Sequence, residues 1–188
     1  MTFFDLVAPI YEKLRSRTYK TAARLQEIVE FKPTDIVVDV GGGTGAIAKH
    51  FVGKVHSITV VDPSEKMLAE CRKHPDLVCA LGSGEALPAP SESADKIILV
   101  DAFHHIREQG KAIMEIKRVL KKGGLIVAVE YNPATFDGRA VKVLEKILRL
   151  GSHFHRPQSL VKLFSSQGFE VKLFDENKKD YYLVAQKH

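Results

Sequence analysis

The stretch Val37-Val38-Asp39-Val40-Gly41-Gly42-Gly43-Thr44-Gly45 constrains the fold of this chain more than any other. A β-branched run, consistent with a buried strand, ends in an acid and a glycine-rich turn. The following Ala46-Ile47-Ala48-Lys49-His50-Phe51 then reads as a helix. Glycines let a ligand approach the backbone, and the first-turn N–H groups of a helix face it, so the unit can seat a nucleotide-like molecule. From Gly41 to Ala46 the pattern also satisfies the Gly-x-Gly-x-x-Gly/Ala fingerprint of dinucleotide binders. Asp39 separates the two readings: a carboxylate before the first glycine repels a pyrophosphate but favours a ligand carrying an ammonium and a sulfonium.

The order of elements sets the topology. Expected strands cover 36–39, 57–61, 77–80, 96–100, 125–130, 169–174 and 181–185; expected helices cover 3–15, 19–30, 45–51, 65–73, 109–120, 138–150 and 158–166. The first five strands are separated by crossovers, which predicts a doubly wound parallel sheet. Only Asp175 to Asp180 joins the last two, too short for a helical crossover, so these must pair antiparallel. At 188 residues the chain is long enough for one well-buried core and too short for two substantial domains, giving a single domain over 1–188.

Charge and cysteine usage narrow the partners. The net charge of +5 lies largely on helices, where Glu108, Glu115 and Glu145 intersperse the bases, so solvated faces are favoured over a nucleic-acid patch. No apolar run approaches the roughly 18 residues of a membrane span. The N-terminus lacks a basic n-region and a cleavage site, so a cytoplasmic protein is expected. Cys71 and Cys79 lack metal-ligand spacing and read as two reduced, packed thiols.

The acidic-x-Gly-x-Gly-x-Gly order resembles motif I of the class I S-adenosylmethionine-dependent methyltransferases, and the resemblance spans nearly the whole chain. Asp62 ends the second apolar run, where a carboxylate can accept both ribose hydroxyls; in the resemblance Pro63 to Met67 lie near the adenine. Leu81-Gly82-Ser83-Gly84-Glu85-Ala86-Leu87-Pro88 looks like the family's adenine loop, with Ser83 in place of the usual acid. Asp101-Ala102-Phe103-His104-His105-Ile106 is similar to the segment after the fourth strand in the ubiquinone/menaquinone-biosynthesis type. Phe4-Asp5-Leu6-Val7-Ala8-Pro9-Ile10-Tyr11-Glu12 is similar to that type's N-terminal signature, which makes 1–17 a cofactor-covering segment and gives Tyr11 a hydrogen bond to the cofactor's carboxylate end. The seven-stranded Rossmann-like methyltransferase sheet, five parallel strands plus a C-terminal antiparallel hairpin, is the fold the resemblance implies.

The resemblance implies methyl transfer from S-adenosylmethionine to an acceptor, most simply a small molecule. Its implied cofactor residues are Tyr11, Asp39, Gly41, Gly43, Gly45, Asp62, Pro63, Met67, Ser83, Gly84, Glu85 and Asp101. His104 and His105 are the candidates for a general base, with at most one of them facing the ligand. Phe103, Tyr131, His153 and His155 are candidates for the acceptor side. No metal is expected, because His153 and His155 lack a third ligand. A nicotinamide-dependent oxidoreductase and a non-catalytic S-adenosylmethionine-binding protein are the alternatives.

Overall fold

Runs rich in valine and isoleucine build the middle of the molecule, since their branched side chains suit a sheet covered on both faces. The structure, a computed structural model, describes residues 15–139, 143, 151–175 and 177–188. Along these the chain forms α1 (Arg15–Ile28), β1 (Ile36–Val40), a 3₁₀ turn (Ala48–Phe51), β2 (Ser57–Asp62), α2 (Glu65–Cys71), β3 (Val78–Leu81) and β4 (Ala94–Val100). A second 3₁₀ turn (Phe103–His105), α3 (Gln109–Val119), β5 (Leu120–Tyr131), α4 (Pro157–Ser166), β6 (Phe169–Phe174) and β7 (Asp180–Lys187) follow.

The strands make one seven-stranded sheet in the order β3-β2-β1-β4-β5-β7-β6. Neighbours among β1 to β5 are parallel, and β7 runs antiparallel to both β5 and β6. Alternation along each strand divides the core. Ile97 and Leu99 face a cluster with Ile113, Ile116 and Phe164, from α3 and α4. Ile98 faces the other, with Leu25, Phe51 and Leu68, from α1, the first 3₁₀ turn and α2. Strand order reverses between β1 and β4, and at such a switch point an α/β sheet opens a crevice beyond its carboxyl ends.

The sheet agrees with the sequence expectation; several local elements do not. The helix expected over 45–51 shrinks to the 3₁₀ turn Ala48–Phe51, because Gly41, Gly43 and Gly45 all hold positive φ (71°, 56° and 75°), which no right-handed helix admits. The helix expected over 19–30 already includes Arg15: α1 covers Arg15 to Ile28, a stretch with no glycine or proline. Strand β5 starts at Leu120, directly after α3, so Gly123 and Gly124 lie within it. The helix expected over 3–15 falls almost wholly outside the described residues. Of that over 138–150, the described residues 138, 139 and 143 are helical.

Cys71 and Cys79 are not two separate thiols but form a disulfide, with Cα atoms 6.3 Å apart. Crossover packing lays the end of α2 against β3, within the separation a disulfide spans. The expectation of reduced thiols rested on sequence spacing and an assumed compartment, neither of which encodes this juxtaposition.

Candidate active site

The glycine turn is where backbone comes closest to open space. Gly41 N–H donates to Val61 O at 2.7 Å, which pins the loop over the end of β2. A Cβ at Gly41 would lie 2.7 Å from Ala102 Cβ, and one at Gly45 2.5 Å from Leu77 Cδ1. At Gly43 the nearest atoms would be Met67 Sδ at 3.8 Å and Asp62 Oδ2 at 3.9 Å. Gly41 and Gly45 therefore serve packing as well as backbone shape, while Gly43 keeps a cavity open.

That cavity measures about 830 Å³ and runs across the carboxyl ends of β1, β2 and β4. Asp39, Gly41, Gly43, Asp62, Pro63, Met67, Ser83, Gly84, Glu85, Asp101, His105 and Tyr131 border it, so most of the residues singled out in sequence converge. Gly45 does not border it, because its Cα faces the Leu77 side chain. Tyr11 lies outside the described residues.

Two carboxylates lie beside the glycine turn. Asp39 is 1% exposed, and its Oδ2 has no hydrogen-bond partner among the described residues. Burial first, and then the charge of Asp62, push its carboxyl up to about 7. Asp62 instead works on the backbone: Oδ2 accepts Gly43 N–H at 3.0 Å and Oδ1 accepts Ser64 N–H at 2.8 Å. Ser64 then caps α2, its Oγ accepting Met67 N–H at 3.3 Å. One acid thus ties the glycine turn to the helix that carries Met67 into the cavity. On the opposite wall, Ser83 and Ala86 form an isolated bridge across the 81–88 loop, and Glu85 Oε1 accepts Glu108 N–H at 3.3 Å.

The far end is closed by a residue that sequence reasoning missed. Arg17 of α1 donates to both oxygens of Asp101, at 2.5 and 3.1 Å, reaches Asp180 at 3.3 Å, and lies 4.6 Å over the Tyr131 ring. Burial disfavours its charge, but Asp101 and Asp180 more than compensate and hold the guanidinium above its ordinary value. One arginine among many in a helix carries no sequence signal for this role; its partners are 84 and 163 positions away.

Several candidates take other places. His104 is 1% exposed and does not border the cavity: Nδ1 meets Glu130 Oε2 at 2.5 Å, and the ring stacks on Phe154 at 4.4 Å. Phe103 lies in the core, 5.4 Å from the Phe164 ring, since its side chain turns into the α3–α4 layer. His153 and His155 also stay outside the cavity wall. His153 N–H donates to His104 O at 2.7 Å, and His155 Nε2 meets Gln109 Oε1 at 2.7 Å. Burial, and then the neighbouring His153, lower the basicity of His155. Of the histidine pair only His105 reaches the cavity, its Nδ1 lying 3.1 Å from Ser152 Oγ.

Residues 38–128 match the family model of a methyltransferase domain. The chain is 35% identical over 98 residues to the ubiquinone/menaquinone biosynthesis C-methyltransferase of Rubrivivax gelatinosus, covering 51% of this chain and 39% of that protein. It is 28% identical over 152 residues to the demethylmenaquinone methyltransferase of Renibacterium salmoninarum, covering 78% and 64%. The chain therefore spans less than two thirds of either relative. Among solved structures, a chain of the complex between the Haloferax volcanii Trm112 methyltransferase activator and a methyltransferase superposes with a TM-score of 0.89 at 18% identity. The match covers 100% of this chain and 99% of that one, a likeness of fold.

Proposed function

Since the chain belongs to the class I S-adenosylmethionine-dependent methyltransferases, we propose that it transfers a methyl group from that cofactor to a small-molecule acceptor. The observation that carries the reading is the buried Asp39 carboxylate beneath the glycine turn, with one oxygen unpartnered among the described residues. A buried carboxylate with an unpartnered oxygen is costly, and a cationic ligand relieves that cost. When bound, S-adenosylmethionine supplies a methyl already activated on a sulfonium. Asp39 offsets the ligand's positive charge. Asp62 accepts the ribose hydroxyls, since a carboxylate takes up to about four hydrogen bonds and those to Gly43 and Ser64 are compatible with more. Pro63, Met67, Ser83, Gly84 and Glu85 flank the adenine, and Gly41 and Gly43 allow close approach. Arg17, Asp101 and Tyr131 close the acceptor end, which excludes water and aligns the acceptor. His105 is the candidate to take the acceptor's proton, and Tyr11 the candidate for the cofactor's carboxylate.

We read 1–188 as one domain, with 1–17 as its covering segment. The names of the two curated relatives support a quinone-like ring as acceptor. Cytoplasmic placement is part of this reading. No helix among the described residues is long and apolar enough to cross a membrane, whereas the Cys71–Cys79 disulfide favours an oxidising compartment. Trapping thiols at lysis decides between them. A second reading adds a protein partner: the Haloferax complex pairs a methyltransferase with an activator, and edge strand β3 exposes Val78 and Leu81. Co-expression with a Trm112-type protein tests it, and separate elution discards it.

Calorimetry with S-adenosylmethionine, S-adenosylhomocysteine and NAD tests the central reading. Binding of the first two without the third is expected; binding of NAD alone overturns it.

A further inference from the structure

Backbone pairing between β4 and β5 ends at an identifiable point, and a side chain takes over from there. Val100 pairs with Val129, and Asp101 N–H still donates to Val129 O at 2.9 Å. The chain then leaves the sheet, with Asp101 at φ 51°, a conformation costing a non-glycine residue about 1 kcal/mol. At the departure, Phe103 N–H finds Glu130 Oε1 at 3.0 Å in place of a backbone carbonyl, and Glu130 Oε2 meets His104 Nδ1. Glu130 and His104 are 3% and 1% exposed. Burial raises the Glu130 carboxyl, and the histidine opposes that rise. A 3₁₀ turn has three residues per turn, so successive side chains point about 120° apart. With Phe103 fixed in the core and His104 fixed on Glu130, only one direction remains for His105, and it faces the cavity.

We propose that the buried Glu130–His104 pair is a positioning device, which locks the turn after β4 so that His105 and the left-handed Asp101 are presented to the reacting end of the cavity. The proposal rests on the methyl-transfer reading for the identity of the cavity, not for the geometry of the turn. Phe154 stacks on His104 and His153 N–H binds its carbonyl, so the pair also fixes the 151–156 loop over the turn.

The decisive variant is the double Glu130→Leu/His104→Leu, which removes both partners together and leaves neither buried charge uncompensated. Its melting temperature should fall by several degrees, because the Phe103 N–H loses Glu130 Oε1, without loss of the fold. The ¹⁵N tautomer signature of the His105 ring should change, and modification of His105 by diethyl pyrocarbonate should accelerate severalfold, with exposed His56 as the internal reference. His104→Asn, which keeps a donor near the Nδ1 position, should restore the wild-type signature and rate. Unchanged His105 signature and reactivity in the double variant overturn the proposal, as does failure of His104→Asn to restore them while the chain stays folded. If the double variant does not fold, Glu130→Gln carries the same readouts, and an unaltered His105 there overturns the proposal too. Calorimetry of wild type with S-adenosylhomocysteine separates the two readings: no binding removes the methyl-transfer reading, whereas binding with an unaffected His105 removes only this one.

Discussion

Asp39 and Asp62 are both acids at strand ends, yet the structure gives them opposite electrostatic situations. Asp62 accepts two backbone N–H groups; Asp39 is buried with one oxygen unpartnered among the described residues. Because burial raises the Asp39 carboxyl to about 7, the native chain holds a proton there that the unfolded chain releases near its ordinary value. The stability linked to that proton is fully present at low pH and is lost as pH rises from about 4 through 7. Asp39→Asn should therefore stabilise the ligand-free chain, by of order 2 kcal/mol at pH 8 and little at pH 4. The same change should weaken S-adenosylhomocysteine roughly tenfold or more, the range for losing a charged partner. Thermal melts across pH, with calorimetry at pH 8, check both; a variant less stable than wild type at pH 8 refutes the assignment. Asp62→Asn should behave differently. Its amide NH₂ would face a backbone N–H, so roughly 1–3 kcal/mol of stability should go along with cofactor affinity. Lost affinity at unchanged stability would show that the ties to Gly43 and Ser64 matter little.

At the scale of elements, the glycine turn does two separable jobs. Alanine at Gly41 must adopt a positive φ and also meet Ala102 Cβ, which cannot swing aside, so it should cost roughly 2–4 kcal/mol of stability. Among the described residues alanine at Gly43 meets nothing closer than 3.8 Å and should cost roughly 1 kcal/mol, but its methyl enters the cavity between Met67 and Asp62. Denaturation and ligand titration of the two variants should show stability failing first in Gly41→Ala and binding failing first in Gly43→Ala. The reverse order would reassign the cavity. The Cys71–Cys79 disulfide ties α2, whose first turns line one wall, to β3, which leads into the Ser83–Glu85 wall. Closing a loop of separation 8, it should contribute roughly 2–3 kcal/mol. A reductant should lower the melting temperature of wild type and leave Cys71→Ala/Cys79→Ala unaffected; a wild type indifferent to reductant would show the bridge contributes nothing.

For the molecule as a whole, the cavity spans the ends of β1, β2 and β4 and the first turn of α1, so a ligand there binds only the folded chain. S-adenosylhomocysteine at a hundredfold excess over its dissociation constant should add about 2.7 kcal/mol and raise melting by roughly 5–10 °C. A shift near zero at saturating ligand would contradict binding at this cavity. The sheet and its antiparallel last pair were legible because they follow from local signals: β-branched runs, the lengths of the segments between them, and a connection too short to cross over. That Asp39, Gly41, Gly43, Asp62 and the Ser83–Glu85 loop border one cavity was legible for a similar reason, since each ends or follows a recognisable strand. The closure of that cavity by Arg17 was not. Arg17, Asp101, Tyr131 and Asp180 come from four distant elements, and no local pattern ties them together. The His104-His105 dipeptide shows the boundary most clearly. Sequence places both histidines after β4 and predicts that at most one faces the ligand. Which one does so depends on Glu130 and Phe154, 26 and 50 positions downstream, because a 3₁₀ turn fixes the angle between neighbouring side chains while only packing fixes its absolute orientation.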